Sequence, residues 1–391
     1  MSYDPQARRD TPLALKLKDR IRRDGPMTVP QYMQACLQDP EHGYYRTETA
    51  IGRSGDFITA PEISQIFGEL LGLWAAIVWQ QMGSPTRVNL IELGPGRGTL
   101  MRDALRAARV VPGFLEAARV TLIESNATLA HMQKATLASS PAPITWHADI
   151  QAIVDAGANV GHAPVRGDPA IIIGNEYLDC LPQAQMVRVG DAWMQRCVGL
   201  DDQGHLSFGV GPHVAATAEI EPWQHLNLNT RYPSARDGDV VEPGHHDWIE
   251  GLTAGWPQVA ALFIDYGHTD AAVGETLQAV RSHRYEHPLT SPGQADVTMH
   301  VDFASLVRHV SESQALAADG PTPQAEFLGS LGIIERASRL MSANPAKAGA
   351  IEAEVARLLA PNGMGTRFKA MGLRSATLPP LPGFPIAAHK R

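Results

Sequence analysis

A chain of 391 residues, 44% hydrophobic and 19% charged, can bury a large core and is long for one simple domain. Its formal net charge of −8 argues against nucleic acid or an anionic membrane as the main partner and suits a basic substrate. Three widely spaced cysteines, Cys36, Cys180 and Cys197, form no C-x-x-C pair, which points to a reducing compartment with neither a disulfide framework nor a thiolate zinc site.

The first 25 residues mix arginines with Asp4, Asp10, Asp19 and Asp24 and hold no apolar core of a signal peptide. No uncharged apolar run approaches the roughly 18–20 residues of a membrane span, so a cytoplasmic protein is expected. Residues 12–38 read as helix, broken at Gly25-Pro26 and restarted after Thr28. Thr59-Ala-Pro-Glu62 fits a capping box that opens a helix over about 60–82, with Ile63, Ile66, Phe67, Leu70, Leu71 and Trp74 on one face.

An alternation follows: strand 87–93, helix 99–109, strand 119–125, helix 127–137, short strand 144–147 and strand 170–174. Strand–helix–strand at these lengths means βαβ units and a parallel sheet. After Pro182, residues 183–210 alternate with period two and suggest an antiparallel hairpin or meander. Residues 261–267 form a further strand, 301–313 a helix, 323–360 more helical patterns and GTRFKAMGL a last strand, with the Pro-rich tail after it loosely held.

Strand 87–93 runs into ELGPGRG, with Glu92, Gly94, Gly96 and Gly98. Glycines between strand and helix allow a tight turn and close approach of a ligand to the backbone. The dinucleotide fingerprint needs a third glycine where Thr99 stands, and no Walker lysine follows. An acidic strand end followed by G-x-G-x-G is instead the usual motif of Rossmann-like methyltransferases that bind S-adenosylmethionine, whose ammonium and sulfonium favour nearby negative charge. Glu124, at the next strand end, suits ribose hydroxyls. Asp149 suits an adenine amino group, with Ile150 against the ring. A nicotinamide cofactor could also use Glu124.

Residues 171–182, IIIGNEYLDCLP, carry a buried β-branched run straight into Asn175, Glu176 and Asp179. The Pro-Pro-aromatic tetrad of base-amino methyltransferases is missing. Two carboxylates within one turn suit a guanidinium, which is planar, always protonated and must lose a proton as it is methylated. Glu176 and Asp179 are therefore the expected catalytic pair, the lesser alternative being that they cap a helix or pair with structural arginines.

Four blocks, GDFITAPEISQIFGE (55–69), IELGPGRGTL (91–100), GNEYLDCLP (174–182) and FIDYG (263–267), resemble the MidA-like family. These are the mitochondrial complex I assembly-factor arginine methyltransferases and their bacterial relatives. The likeness runs from about residue 12 to about 375. It implies an α/β, Rossmann-like S-adenosylmethionine-dependent methyltransferase fold with an N-terminal helical extension and inserted β and α elements. It also implies a protein partner, the 49-kDa-type subunit of respiratory complex I, in which an arginine would be symmetrically dimethylated. On this likeness Asp56 and Phe57 help close the site, and Tyr177 stands in its aromatic wall; Asp265 and Tyr266, which follow a further strand, either line the acceptor pocket or form a structural corner. Where relatives often read N-E-F-F-D-A-L-P, this chain has Tyr177, Leu178 and Cys180.

The division expected is an extension and lid at 1–85, a cofactor-binding core at 86–182, a β-rich insertion at 183–257, the rest of the core with a helical insertion at 258–375 and a flexible tail at 376–391. His245-His246-Asp247 lacks further ligands at fixed spacing, so an exposed loop is expected and no metal site. Cys180 lacks a base, and Arg102, Arg106 and Arg109 look like a solvated helix face.

Overall fold

Threonines open the first two helices. In a computed structural model that describes residues 4, 6–47, 58–149, 167–211, 227–244, 246 and 248–385, Thr11 caps α1 (Pro12–Asp24) by accepting the Ala14 N–H. A two-residue strand, β1 (Met27–Thr28), leads into α2 (Val29–Gln38), where Thr28 and Gln31 form a reciprocal capping box. A short α3 (Tyr44–Thr47) follows. The helix expected over 60–82 is two helices, α4 (Ala60–Ile63) and α5 (Gln65–Gln81), because Ser64 is extended and caps the second through the Ile66 N–H. Thr59 makes no side-chain cap, and the expected capping box is absent: Glu62 accepts from the Thr99 hydroxyl instead.

The alternation that follows is β2 (Val88–Leu93), α6 (Thr99–Ala108), α7 (Phe114–Ala117), β3 (Ala118–Ile123), α8 (Ala127–Thr136), β4 (Ile144–His147) and β5 (Ala170–Asn175). An antiparallel meander comes next, made of β6 (Met186–Val189), β7 (Ala192–Leu200), β8 (Leu206–Val210) and β9 (Val240–Val241), with α9 (Leu228–Arg231) before the last of these. After α10 (Trp248–Thr253) the chain returns to the centre as β10 (Val259–His268). It then forms β11 (Gln278–Arg281), β12 (Arg284–Glu286), β13 (Asp296–Thr298), β14 (Val301–Asp302), α11 (Phe303–Ser311), β15 (Leu316–Pro323), α12 (Gln324–Ser330), α13 (Ile333–Ala343), α14 (Ala348–Leu359) and β16 (Phe368–Ser375).

The main sheet has the order β15-β16-β10-β5-β2-β3-β4, with β14 added to β10. Strands β4, β3, β2, β5 and β10 are parallel, and β16 runs against β10 and β15. From β2 the chain moves outward one way through β3 and β4, then returns to the other side of β2 as β5. The strand order therefore reverses between β2 and β5. In open α/β sheets, ligands bind beyond the carboxyl ends at such a switch point.

One face of the sheet is packed by α5, α6 and the helices α12–α14 around Phe67, Trp74, Leu105 and Phe327. The other is covered by α10 and α11 through Ile249, Phe303 and Leu306. Helices α5 and α6 approach so closely at Gly72 that a Cβ there would sit 2.2 Å from the Ala104 carbonyl oxygen. β1 pairs with β7, so the N-terminal helices share a core with the meander and with β11–β13.

Two further expectations fail against this frame. The described part of the tail is not loosely held: Leu378, Leu381 and Phe384 are buried in the main core, and the Trp74 indole donates to the Pro382 carbonyl. Arg102, Arg106 and Arg109 do lie on an exposed helix face, although Arg106 also pairs with the buried Glu69 and Asp103 and Arg102 with Asp103. His246 is buried against the rings of Trp248 and His309 rather than exposed, its neighbours His245 and Asp247 lying outside the described residues. No described helix is long and apolar enough to cross a membrane.

Candidate functional site

β2 is buried along its whole length, and Glu92 is only 3% exposed. A carboxylate there has no water to stabilise its charge, and burial, with Glu124 nearby, pushes its pKa up to about 8. Its Oε2 atom is buried with no hydrogen-bond partner. The loop after it bends through Gly94, Gly96 and Gly98, all at positive φ (62°, 54° and 78°), before α6 begins.

Glu124 closes β3. Its carboxylate accepts the Asn126 N–H at 2.7 Å and the Gln133 side-chain amide at 3.0 Å, and burial raises its pKa. Gln133 also donates to the Gly96 carbonyl at 2.7 Å and accepts from the Trp146 indole at 3.0 Å. One amide on α8 thus ties the glycine loop to the ends of β3 and β4. Arg46 donates to the Ser125 carbonyl, and Asn126 donates to the Tyr45 carbonyl, so α3 reaches over the same strand end. Asp149 is exposed just beyond β4, and Ile150 lies outside the described residues.

At the end of β5 the backbone turns sharply: Glu176 has φ 51°, a left-handed conformation costly for a side chain of its size. Its Oε1 accepts the Ala60 N–H at 3.0 Å and the Asn175 amide at 3.2 Å. Burial pushes its pKa up to about 7, and Asp179 adds to the rise. Asp179 is buried and raised to about 6, chiefly by desolvation and against the pull of the Tyr266 hydroxyl. Asp265 on β10 is fully buried and spends its oxygens on the backbone. It accepts from Leu178 N–H at 2.8 Å, Asp179 N–H at 3.1 Å and Tyr266 N–H at 2.8 Å. Burial, with Asp179 next, holds its pKa well above the carboxylate range.

The expected site residues therefore divide. Glu92, Gly94, Gly96 and Glu176 line one cleft of about 50 Å³, together with Asn175, Arg97 and Thr99. Thr59, Pro61 and Glu62 form its remaining wall, and Glu62 pairs with Arg97. Gly98 starts α6, where a Cβ would meet Gln133, and Tyr177 packs against Gly94. Asp179, Asp265 and Tyr266 do not line this cleft: the Tyr266 hydroxyl donates to Thr298 on β13, and the Tyr45 hydroxyl donates to Asp296. Asp56 and Phe57 lie outside the described residues. Gln133 carries no signal in the sequence, while Asn175 and residues 59–62 stand out there only as the lead-in to the two acids and as a capping box, not as site residues.

The residues fit S-adenosylmethionine. An unpartnered buried carboxylate oxygen above a positive-φ glycine loop suits an ammonium group, and a second carboxylate at the next strand end suits hydroxyls. The Cys180 thiol donates to the Tyr177 carbonyl and is held protonated by burial, so it is no nucleophile. Among the described residues no group of three or more His, Cys, Asp and Glu side chains could hold a metal.

Comparison with known proteins adds the following. Residues 70–322 match the model of an S-adenosyl-L-methionine-dependent methyltransferase family. The protein arginine methyltransferase NDUFAF7, mitochondrial, of Xenopus tropicalis is 31% identical over 403 residues, covering 93% of this chain and 87% of the relative. Its Homo sapiens counterpart is 32% identical over 378 residues, covering 93% and 83%. Both are named as mitochondrial, which overturns the expectation of a cytoplasmic protein. A superfamily member from Burkholderia thailandensis, bound to S-adenosyl-homocysteine, shares the fold with a TM-score of 0.77 at 24% identity, covering 95% of this chain and 94% of that one.

Proposed function

Since this chain belongs to the family of S-adenosyl-L-methionine-dependent methyltransferases, we propose that it methylates a protein arginine, with Glu176 as the acceptor-side base. The observation that carries the proposal is the pairing, in one cleft, of a glycine loop below an unpartnered Glu92 with a second carboxylate on the neighbouring strand. The arginine methyltransferase names of the relatives support the choice of acceptor.

S-adenosylmethionine, when bound, supplies a methyl group on a sulfonium, and the acceptor nitrogen's electron pair forms the new N–C bond as the C–S pair returns to sulfur. Glu92 would hold the ammonium, and Glu124 with Gln133 would present acceptors to the ribose. Asp149 would do the same for adenine. Glu176 takes the proton that the guanidinium must lose. A carboxylate titrating near 7 is suited to that exchange, since about half of it is ionised at neutral pH and it is basic enough to accept a proton. Its two hydrogen bonds, from Ala60 and Asn175, fix it in place before any acceptor arrives. Asp179 is a second acid close enough to raise the proton affinity of Glu176. Asp265 acts on the site indirectly by holding the backbone of Leu178 and Asp179. On this reading residues 86–182 hold the cofactor and 1–85 cover it.

The finer proposal, carried by the family resemblance, is symmetric dimethylation of an arginine in the 49-kDa-type subunit of complex I in support of its assembly. Tandem mass spectrometry of that subunit from cells with and without the protein tests it. A dimethylated arginine that disappears in the deletion strain and returns with wild-type protein supports the proposal. Full assembly of complex I with Glu176→Gln in place of wild type would favour a non-catalytic assembly chaperone instead.

A further inference from the structure

The cleft contains a second unsatisfied polar atom besides Glu92. Asn175, the last residue of β5, sits at the switch point of the sheet, is 9% exposed and lines the cleft. Its Oδ1 is buried without a hydrogen-bond partner. Which end of the amide is already bonded follows from its neighbour. Oε1 of Glu176 already accepts the Ala60 N–H, so it acts as an acceptor, and the Asn175 group 3.2 Å from it must be the NH₂. The carbonyl oxygen is then the end left over. A buried acceptor left unmade costs about 1–3 kcal/mol, and one that belongs to a cleft-lining residue is available to a ligand's donor.

We propose that Asn175 is a positioning residue for the acceptor, its Oδ1 accepting an N–H of the nitrogen that receives the methyl group. The inference rests on the methyl-transfer reading of the cleft. Of the two spare acceptors, the ionisable Glu92 above the glycine loop suits a cation held throughout the reaction, which would favour its carboxylate form. The neutral amide bonded to Glu176 suits a donor that must be oriented and then lose a proton. Hydrogen bonds from a guanidinium lie in its plane. Anchored in that plane by Asn175 and Glu176, the nitrogen presents its out-of-plane electron density across the cleft toward the glycine loop. An aspartate in place of Asn175 would keep an acceptor oxygen but set two carboxylates side by side. Glu176 would then ionise, and so become able to accept the proton, only at higher pH.

The test uses the full chain, tritium-methyl S-adenosylmethionine and the proteins of a lysate from cells lacking this enzyme, with acid hydrolysis to identify the labelled amino acid. Calorimetric titration with S-adenosylhomocysteine runs in parallel on each variant. Asn175→Ala is expected to slow label incorporation about 10²-fold while changing S-adenosylhomocysteine affinity by less than about threefold. Asn175→Asp is expected to recover much of the rate, with its pH–rate profile displaced upward. Wild-type rates from Asn175→Ala, or a loss of S-adenosylhomocysteine affinity matching the loss of rate, would overturn the proposal. Label on an amino acid other than arginine overturns the arginine reading, and the comparison of Asn175 variants on that acceptor still decides this one.

Discussion

Glu92 and Asp265 are two buried carboxylates on parallel strands of one sheet, with only β5 between them. Burial raises the pKa of both, yet they are built for different ends. Asp265 accepts three backbone N–H groups that fix the 176–182 loop. Glu92 has an oxygen with no partner at all. Burial alone therefore does not mark a functional acid. What separates the two is whether the acceptor capacity is already used, since folding leaves a buried acceptor unmade only at a cost that something else must offset.

Glu176 tests that distinction most severely, because it lies between the two types, held by two donors yet lining the cleft. Glu176→Gln is expected to reduce methyl transfer by about 10²–10⁴-fold with little change in S-adenosylhomocysteine affinity, as measured by label incorporation and calorimetry. In the wild type the rate should rise with pH through about 7, as the Glu176 carboxylate forms. A flat profile from pH 6 to 8 would remove it as the base.

Asp265→Ala should instead act on the fold. It leaves three buried N–H groups without their acceptor, and a loss of about 3 kcal/mol or more is expected in denaturant titration. Loss of transfer with unchanged stability would mean that Asp265 touches the acceptor directly.

Glu92→Gln should move stability the other way. With its pKa raised to about 8 in the folded state, the wild-type carboxyl keeps its proton while the unfolded chain ionises near 4.5. Stability contributed by this group is thus fully present below 4.5 and is lost as pH rises toward 8. The neutral glutamine escapes that loss. Without cofactor the variant should be more stable than wild type at pH 8 by on the order of 2 kcal/mol and equal to it near pH 4, a crossing that melts at the two pH values would reveal.

The smallest effect belongs to the outer support. Glu69 accepts from Arg106 and Arg336, both of which are partly exposed, so Glu69→Gln should cost about 1 kcal/mol in denaturant titration and leave the pH–rate profile unchanged.

Much of the glycine-loop side of the cleft was legible in the sequence because it is local. A β-branched run, an acid and a glycine loop follow one another in the chain, and each strand end carries its own acid. The acceptor side was legible only as the string NEYLDCLP. That Glu176 lines the cleft while Asp179 and Asp265 do not depends on a left-handed residue and on contacts more than 80 residues apart. The Ala60 N–H that holds Glu176 comes from 116 residues away. β15 escaped notice for a related reason: Gly320-Pro321 argues against a strand, and the sheet tolerates it only because β15 is an edge with a register shift there. The tail read as loose because prolines punctuate it, whereas Leu378, Leu381 and Phe384 insert into a core that only tertiary packing defines.

The most direct measurement is calorimetric titration of wild-type protein, Glu92→Gln and Glu176→Gln with S-adenosylhomocysteine, taken with label transfer by the same samples. The account predicts that Glu92→Gln weakens binding by about 10²-fold or more, as expected when one partner of a buried ion pair is removed, while Glu176→Gln binds normally and transfers nothing measurable. Normal binding by Glu92→Gln, or equal loss of binding by both variants, would contradict the division of the cleft into a cofactor carboxylate and an acceptor carboxylate.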